Sequence, residues 1–195
     1  MNQLLRSSST ARGIMINGPS GAGKTTLARE VARRLGFPHL DLDDYYFPQD
    51  ASNPFAELRP RDEIIEHLKR DLSKHPHFVM SGTIGSILWD FANPLFNFAV
   101  LLSVPTEVRL VRVKMRAYER FGERVLLGGD LHESHLEFYE RISEYDVGYH
   151  SVSLERHEKW AAELDCPVLR TDGTKSISEN AAWIADQYLS ITPRE

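Results

Sequence analysis

Gly18-Pro19-Ser20-Gly21-Ala22-Gly23-Lys24-Thr25 matches the phosphate-binding pattern G-x-x-x-x-G-K-[ST] at every fixed position. Three demands of a triphosphate are met at once. Glycines let backbone N–H groups curl around phosphate oxygens, Lys24 carries a mobile positive charge, and the Thr25 hydroxyl, with Thr26 beside it, offers an oxygen to Mg²⁺. The pattern decides the fold only where a strand precedes it and a helix follows. Ile14, Met15 and Ile16 form a short apolar run suited to a buried strand, closed by Asn17-Gly18. From Gly23 the period changes: Leu27, Val31 and Leu35 stand four apart, with Arg29, Glu30, Arg33 and Arg34 between them, until Gly36 and Pro38 end the run. The order strand, loop, helix aims free N–H groups and the positive end of the helix dipole at a bound phosphate, so residues 18–26 are predicted to hold ATP as its Mg²⁺ complex.

The remainder of the 195 residues repeats the alternation of strand and helix that builds a parallel sheet. Pro38–Leu42 reads as a second strand leading into an acidic and aromatic turn, Asp43-Asp44-Tyr45-Tyr46. A polar stretch with Pro48, Asn53, Pro54 and Pro60 precedes a helix in which Ile64, Leu68 and Leu72 share a face. His77–Gly82 and Phe98–Val104 read as strands buried on both faces, and Pro105-Thr106 opens an arginine-rich helix. Pro167–Leu169 reads as a fifth strand, and Ser176-Ile177-Ser178-Glu179 as a capping box opening the last helix. The predicted fold is a three-layer α/β domain over 13–190, with a parallel sheet of about five strands, helices on both faces, and residues 1–12 as a polar tail.

Composition narrows the partners. A formal charge of −5 disfavours general nucleic-acid binding, and no apolar run reaches the length of a membrane helix. The single cysteine, Cys166, excludes an internal disulfide and fits a reducing cytoplasm; its place beside Pro167 at a strand start suits packing better than catalysis. His132-Glu133-Ser134-His135 falls one residue short of the H-E-x-x-H zinc spacing. The expected partner is a small molecule, and oligomeric state is not legible.

With the phosphate loop, Asp41-Leu42-Asp43-Asp44-Tyr45-Tyr46, the arginine row from Arg109 to Arg124 and Thr171-Asp172-Gly173-Thr174 in view, the chain resembles the P-loop small-molecule and nucleotide kinases. That group contains adenylate-type, shikimate-type and uridine-type enzymes. The resemblance spans most of 13–190 and implies an acceptor-binding insertion at about 44–76 and a lid at about 116–137. It implies that Asp41 helps hold Mg²⁺, that Asp43 meets the acceptor, and that Gly82, Thr83 and Gly85 border the acceptor pocket. It further implies that lid arginines, Arg116 and Arg120 first, close over the triphosphate, and that Asp172, Gly173 and Thr174 pass beneath the adenine. A tight turn explains Gly82 and Gly173 equally well.

The chemistry asks for a carboxylate at Asp43 independently, because phosphoryl transfer needs a group that orients the attacking hydroxyl at a strand's carboxyl end. These acids also suit a solvated loop cap. Arg112, Arg116, Arg120 and Arg124 stand four apart, a single stripe on a continuous helix that suits either phosphate or a solvated face laced to Glu119 and Glu123. Arg59, with Arg61, suits an anionic substrate such as a monophosphate, and an exposed helix start explains both as well. The third strand ends in Ser81-Gly82-Thr83 where many mechanical ATPases have an aspartate, and no N-K-x-D motif reads a guanine. The expectation is an ATP-dependent phosphotransferase acting on a hydroxyl or phosphate of a nucleoside, nucleotide or shikimate-like molecule. An ATP-binding regulatory module or a low-activity ATPase is the alternative.

Overall fold

The apolar run ahead of the phosphate loop is strand β1 (Arg12–Asn17), and it forms the centre of a five-stranded parallel sheet. The computed structural model describes residues 12–48, 57–148 and 152–191. Ile14, Met15 and Ile16 are buried on both faces because β1 pairs with β3 (His77–Ser81) on one side and β4 (Phe96–Ser103) on the other. The edges are β2 (His39–Asp41), beside β3, and β5 (Val168–Asp172), beside β4. The order β2-β3-β1-β4-β5 reverses direction at β1, so the crevice beyond its carboxyl end is where an open α/β sheet takes its ligand.

Two apolar layers clamp the sheet. Helix α1 (Lys24–Leu35) buries Leu27, Ala28, Val31 and Ala32 against one face, joined by the last helix, α8 (Ile177–Ile191), through Ala181, Ile184 and Tyr188. The opposite face is covered by α2 (Leu42–Tyr46), α3 (Arg61–Leu72) and α7 (Leu154–Ala162), whose Leu42, Leu68 and Trp160 pack over Met15 and Met80. A further helix, α5 (Thr106–Phe121), leaves the end of β4 and packs on α6 (His132–Ser143), with Ala117, Phe121, Val125 and Leu131 between them. Short helix α4 (Trp89–Ala92), flanked by tight helical turns, fills the passage from β3 to β4.

Several boundaries move from their sequence reading. The predicted turn Asp43–Tyr46 is helix α2: Asp41 caps it by accepting a hydrogen bond from the Asp43 N–H at 3.3 Å, and Leu42 leaves the strand to enter it. Arg12, assigned to the tail, is the first residue of β1 and pairs with His77. Strand β5 runs on to Asp172, and α4, α6 and α7 had no counterpart in the sequence reading. The predicted capping box forms, with the Glu179 N–H donating to Ser176 Oγ at 3.2 Å. The tail at 1–11 and Asn53-Pro54 of the predicted insertion lie outside the described residues.

Candidate active site

Between β1 and α1 the chain turns through Gly18–Gly23, held on its outer side by α5. Gly21 has φ +81°, and a Cβ there would sit 2.7 Å from the Arg109 carbonyl oxygen, so only glycine fits between loop and helix. Asn17, fully buried at the end of β1, accepts the Gly18 N–H at 2.7 Å and fixes the entry to the turn. Lys24 opens α1 and bends back across the loop, its ammonium donating to the Pro19 carbonyl at 3.0 Å. Burial pushes the Lys24 pKa down to about 8, Asp43 and Asp41 pull upward, and Arg116 and Arg109 add to the fall.

The carboxylates arrive from the neighbouring strand end. Thr25 Oγ1 donates to Asp41 Oδ2 at 2.9 Å, joining the second residue of α1 to the end of β2. Two residues on, Asp43 stands in the first turn of α2, close enough to Lys24 and Arg116 to feel both. Its pKa is raised, first by burial and then by the neighbouring Asp41, while Lys24 and Arg116 oppose the shift. Asp44 is exposed and lies within the fields of Asp41, His39 and Arg29. The hydroxyl and carboxylate of Thr25 and Asp41 form an all-oxygen pair of the type Mg²⁺ accepts alongside substrate phosphates and water. Among the described residues no group of three or more His, Cys, Asp or Glu could hold a metal alone.

Beyond β3 the backbone closes the floor. Gly82 has φ +138°, and a Cβ there would meet the Leu42 Cβ at 2.6 Å, so this glycine lets α2 approach the strand end. Thr83 donates its hydroxyl to the Gly18 carbonyl at 3.3 Å, tying this turn to the phosphate loop. Ser81, where a carboxylate was missed in the sequence, is buried with its Oγ 2.9 Å from His39 Nε2. Tyr45 and Tyr46 are buried pillars: the Tyr45 hydroxyl donates to Asp71 at 3.0 Å, and that of Tyr46 accepts the Gly85 N–H at 3.1 Å.

The arginines divide sharply. Arg112 reaches from α5 to the Gly21 and Ala22 carbonyls, each at 3.4 Å, and to the Gly173 carbonyl at 3.2 Å. It thereby joins the phosphate loop to the Asp172–Thr174 turn, a role that its spacing alone did not reveal. Arg116, exposed one turn further along, projects its field onto Lys24 and Asp43. Arg120 lies over the Phe121 ring, and Arg124, beyond the end of α5, pairs with Asp130 at 2.7 Å. Arg109 is only 1% exposed; it donates to the Val104 carbonyl at 3.0 Å and lies 4.6 Å over the Tyr145 ring.

The structure engages both predicted anion-binding arginines elsewhere. Arg59 donates to the carbonyls of Asp44, Tyr45 and Phe47 at 3.0, 3.2 and 2.7 Å and pairs with Glu63 at 3.0 Å. Arg61 binds the Ile87 carbonyl at 2.7 Å and both oxygens of Asp90 at 2.9 Å. Asp172 accepts the Thr174 N–H at 2.7 Å, which shapes the turn after β5.

A protein-family profile described as an AAA domain matches residues 14–124, more than half of the chain. The uncharacterized protein YqaC of Bacillus subtilis (strain 168) is 35% identical over 181 residues, 92% of this chain and 98% of the relative. A cytidylate kinase of Pyrobaculum neutrophilum is 27% identical over 150 residues, 72% of this chain and 79% of the relative. In three dimensions the chain resembles shikimate kinase from Bacteroides thetaiotaomicron, with TM-score 0.56, 18% identity and coverage of 91% and 98%. It also resembles deoxyadenosine kinase from M. mycoides, with TM-score 0.52, 19% identity and coverage of 92% and 100%. At such identities these structures report the fold.

Proposed function

The chain belongs to the family of P-loop nucleotide and small-molecule kinases, and from that premise we propose that it moves the γ-phosphoryl group of ATP, bound with Mg²⁺, to a small acceptor. The observation that carries the reading is the convergence of Lys24, Thr25, Asp41 and Asp43 from two adjacent loop–helix junctions onto one crevice. Backbone N–H groups of residues 20–26, which include the start of α1, receive the phosphates, and the Lys24 ammonium exchanges the Pro19 carbonyl for a phosphate oxygen. Thr25 and Asp41 would hold Mg²⁺, which when bound neutralises charge on the β and γ phosphates. Asp43 orients the acceptor and takes its proton, a task suited to a carboxyl whose pKa is already raised.

Arg116 stabilises charge on the transferred group, with Arg120 carried on the same helix. Supporting a lid at about 116–137, α5 continues through both arginines to Phe121 and then breaks at Gly122. An acceptor-binding insertion at about 44–76 is supported by α2 and α3 standing over the crevice floor. Closing the lid would exclude water, the competing acceptor.

Acceptor-dependent ADP release tests the proposal. Lys24→Ala and Asp43→Asn are each expected to lower it by about 100-fold or more, with Asp43→Asn retaining ATP binding. Wild-type turnover surviving in both variants would sink the assignment of roles.

A further inference from the structure

We propose, on the kinase reading above, that Tyr145 and His157 are positioning residues of the phosphate loop, which act through Arg109 to hold Gly21 where a bound triphosphate needs it. The three side chains form a buried column that reaches the loop from α7. Its last contact is backbone on backbone. A Cβ on Gly21 would lie 2.7 Å from the Arg109 carbonyl oxygen and 3.0 Å from its Cα, so the outer wall of the loop stands where Arg109 stands. With no Cβ of its own, Gly21 keeps its place by what it leans on.

The side chain of Arg109, 1% exposed, is held at three points. Its Nε donates to the Val104 carbonyl at 3.0 Å, its Nη2 donates to Thr106 Oγ1, and the guanidinium lies 4.6 Å over the Tyr145 ring. Thr106 donates its own hydroxyl to Asp146 at 2.7 Å. Tyr145 and Asp146 follow the end of α6, so the stem that leads out to the proposed lid, α5, and the stem that returns from it are pinned together beside Gly21. Tyr145 is fixed in turn by α7: its hydroxyl lies 2.6 Å from His157 Nδ1, and its carbonyl accepts the Leu154 N–H at 3.0 Å. His157 stands one turn before Trp160, which belongs to the core with Met15 and Met80.

Stability alone does not account for this choice of residues. Tyr145 and His157 are buried, and among the described residues Arg109 Nη1 and His157 Nε2 are buried with no hydrogen-bond partner. Apolar side chains of like volume would fill the same space and leave no polar atom unpaired. Burial pushes the His157 pKa down to about 3, and the fields of Lys24 and Arg109 act the same way, so the imidazole is neutral and keeps one donor and one acceptor nitrogen. What the polar column supplies is direction. The hydrogen bond fixes the Tyr145 ring, the ring face fixes the guanidinium, and the guanidinium fixes the start of α5, the helix that also carries Arg112 and Arg116.

The full chain and three variants test this with Mg²⁺ and ATP, by calorimetry, thermal unfolding and amide exchange at residues 18–26. Tyr145→Phe keeps the ring beneath Arg109 but leaves His157 Nδ1 unpaired, and should lower Tm and raise the ATP Kd. Tyr145→Phe combined with His157→Leu removes both partners and should regain most of the lost Tm, while the Kd stays about 3- to 10-fold above wild type and the loop amides still exchange faster. His157→Asn keeps a hydrogen-bonding atom near the place of Nδ1 and should hold the Kd within about twofold of wild type. A wild-type Kd in the double variant would overturn the positioning role, as would a His157→Asn protein that binds ATP as weakly as the double variant. In a wild-type chain that binds ATP, ADP release that no small acceptor stimulates would overturn the kinase reading without touching these Kd comparisons. A wild-type chain that binds no ATP would overturn both.

Discussion

Replacing Arg59 by alanine separates a structural arginine from a substrate ligand. Its guanidinium closes the C-terminal end of α2, donating at 2.7–3.2 Å to three carbonyls that a five-residue helix leaves without internal partners. Hydrogen bonds from a charged donor contribute roughly 1.5–3 kcal/mol each where both partners are dry. Here the Arg59 side chain is 17% exposed, so water recovers part of the loss, and the Glu63 pair, itself 45% exposed, adds about 0–1 kcal/mol. A destabilisation of about 2–3 kcal/mol follows, which in a chain of this length lowers Tm by roughly 5–10 °C. All three carbonyls are met by the single terminal nitrogen Nη1. Arg59→Lys keeps a charged terminal nitrogen, but on a shorter side chain and without the Nε contact to Glu63, and should recover part of that loss. Thermal unfolding and urea titration measure the loss, and calorimetric ATP binding should remain at the wild-type value. A Tm change under about 1 °C, joined to a rise in acceptor KM alone, would refute the reasoning and return Arg59 to the substrate.

Three further outcomes are expected. Because the Lys24 pKa in the free protein is about 8, its ammonium is lost as pH rises through that value, and ATP affinity should fall between about pH 8 and 9.5 in the wild type but not in Lys24→Met; a flat wild-type profile would contradict the buried lysine. Arg112→Ala removes three long contacts to the phosphate loop and the Gly173 turn and should weaken ATP binding about 3- to 10-fold with little change in Tm; an unchanged Kd would remove its positioning role. His157, 2% exposed and 2.6 Å from the Tyr145 hydroxyl, has its pKa pushed down to about 3 by burial. The unfolded chain therefore binds a proton below about pH 6.5 that the folded chain refuses, so stability present above that pH is lost as pH falls, by roughly 2–3 kcal/mol at pH 4.5. His157→Leu should flatten that part of the urea-measured pH profile, and an identical slope in the variant would show that His157 is not its source.

The fold was legible because the features that determine it are local. The β1 run, the glycine loop and the four-residue period of α1 each carry their own signal, and β3 and β4 announce their burial by composition. The Asp43–Tyr46 segment misled because Asp is as good at capping a short helix as at making a turn, and the choice was settled by packing of Leu42, Tyr45 and Tyr46 into the core. Helix α7 escaped notice because its apolar positions, Trp160 and Ala161, are few and are buried together with a histidine. In the site, the phosphate loop could be read from its spacing and Asp41 from the family resemblance, with the Thr25–Asp41 hydrogen bond seen in the structure, while the arginines could not. Arg59, Arg61, Arg109 and Arg112 look alike in sequence, and all four end on main-chain carbonyls. A guanidinium offers five donors, and a chain turning repeatedly at strand ends leaves carbonyls to be met, so an arginine near a phosphate loop is as often the loop's scaffold as its ligand.

Desolvation in the crevice sets the chemistry of Lys24 and Asp43. Desolvation lowers the pKa of the lysine and raises that of the carboxyl, moving the two toward each other across one crevice, with Asp41 opposing the first shift and reinforcing the second. An incoming triphosphate acts on both in one direction. Its negative charge restores the proton on Lys24, which tightens the phosphate grip, and pushes the Asp43 pKa further upward, which makes the carboxylate a stronger base toward an acceptor hydroxyl. On the proposed kinase reading, donor binding would thereby prepare Asp43 to act as the acceptor base.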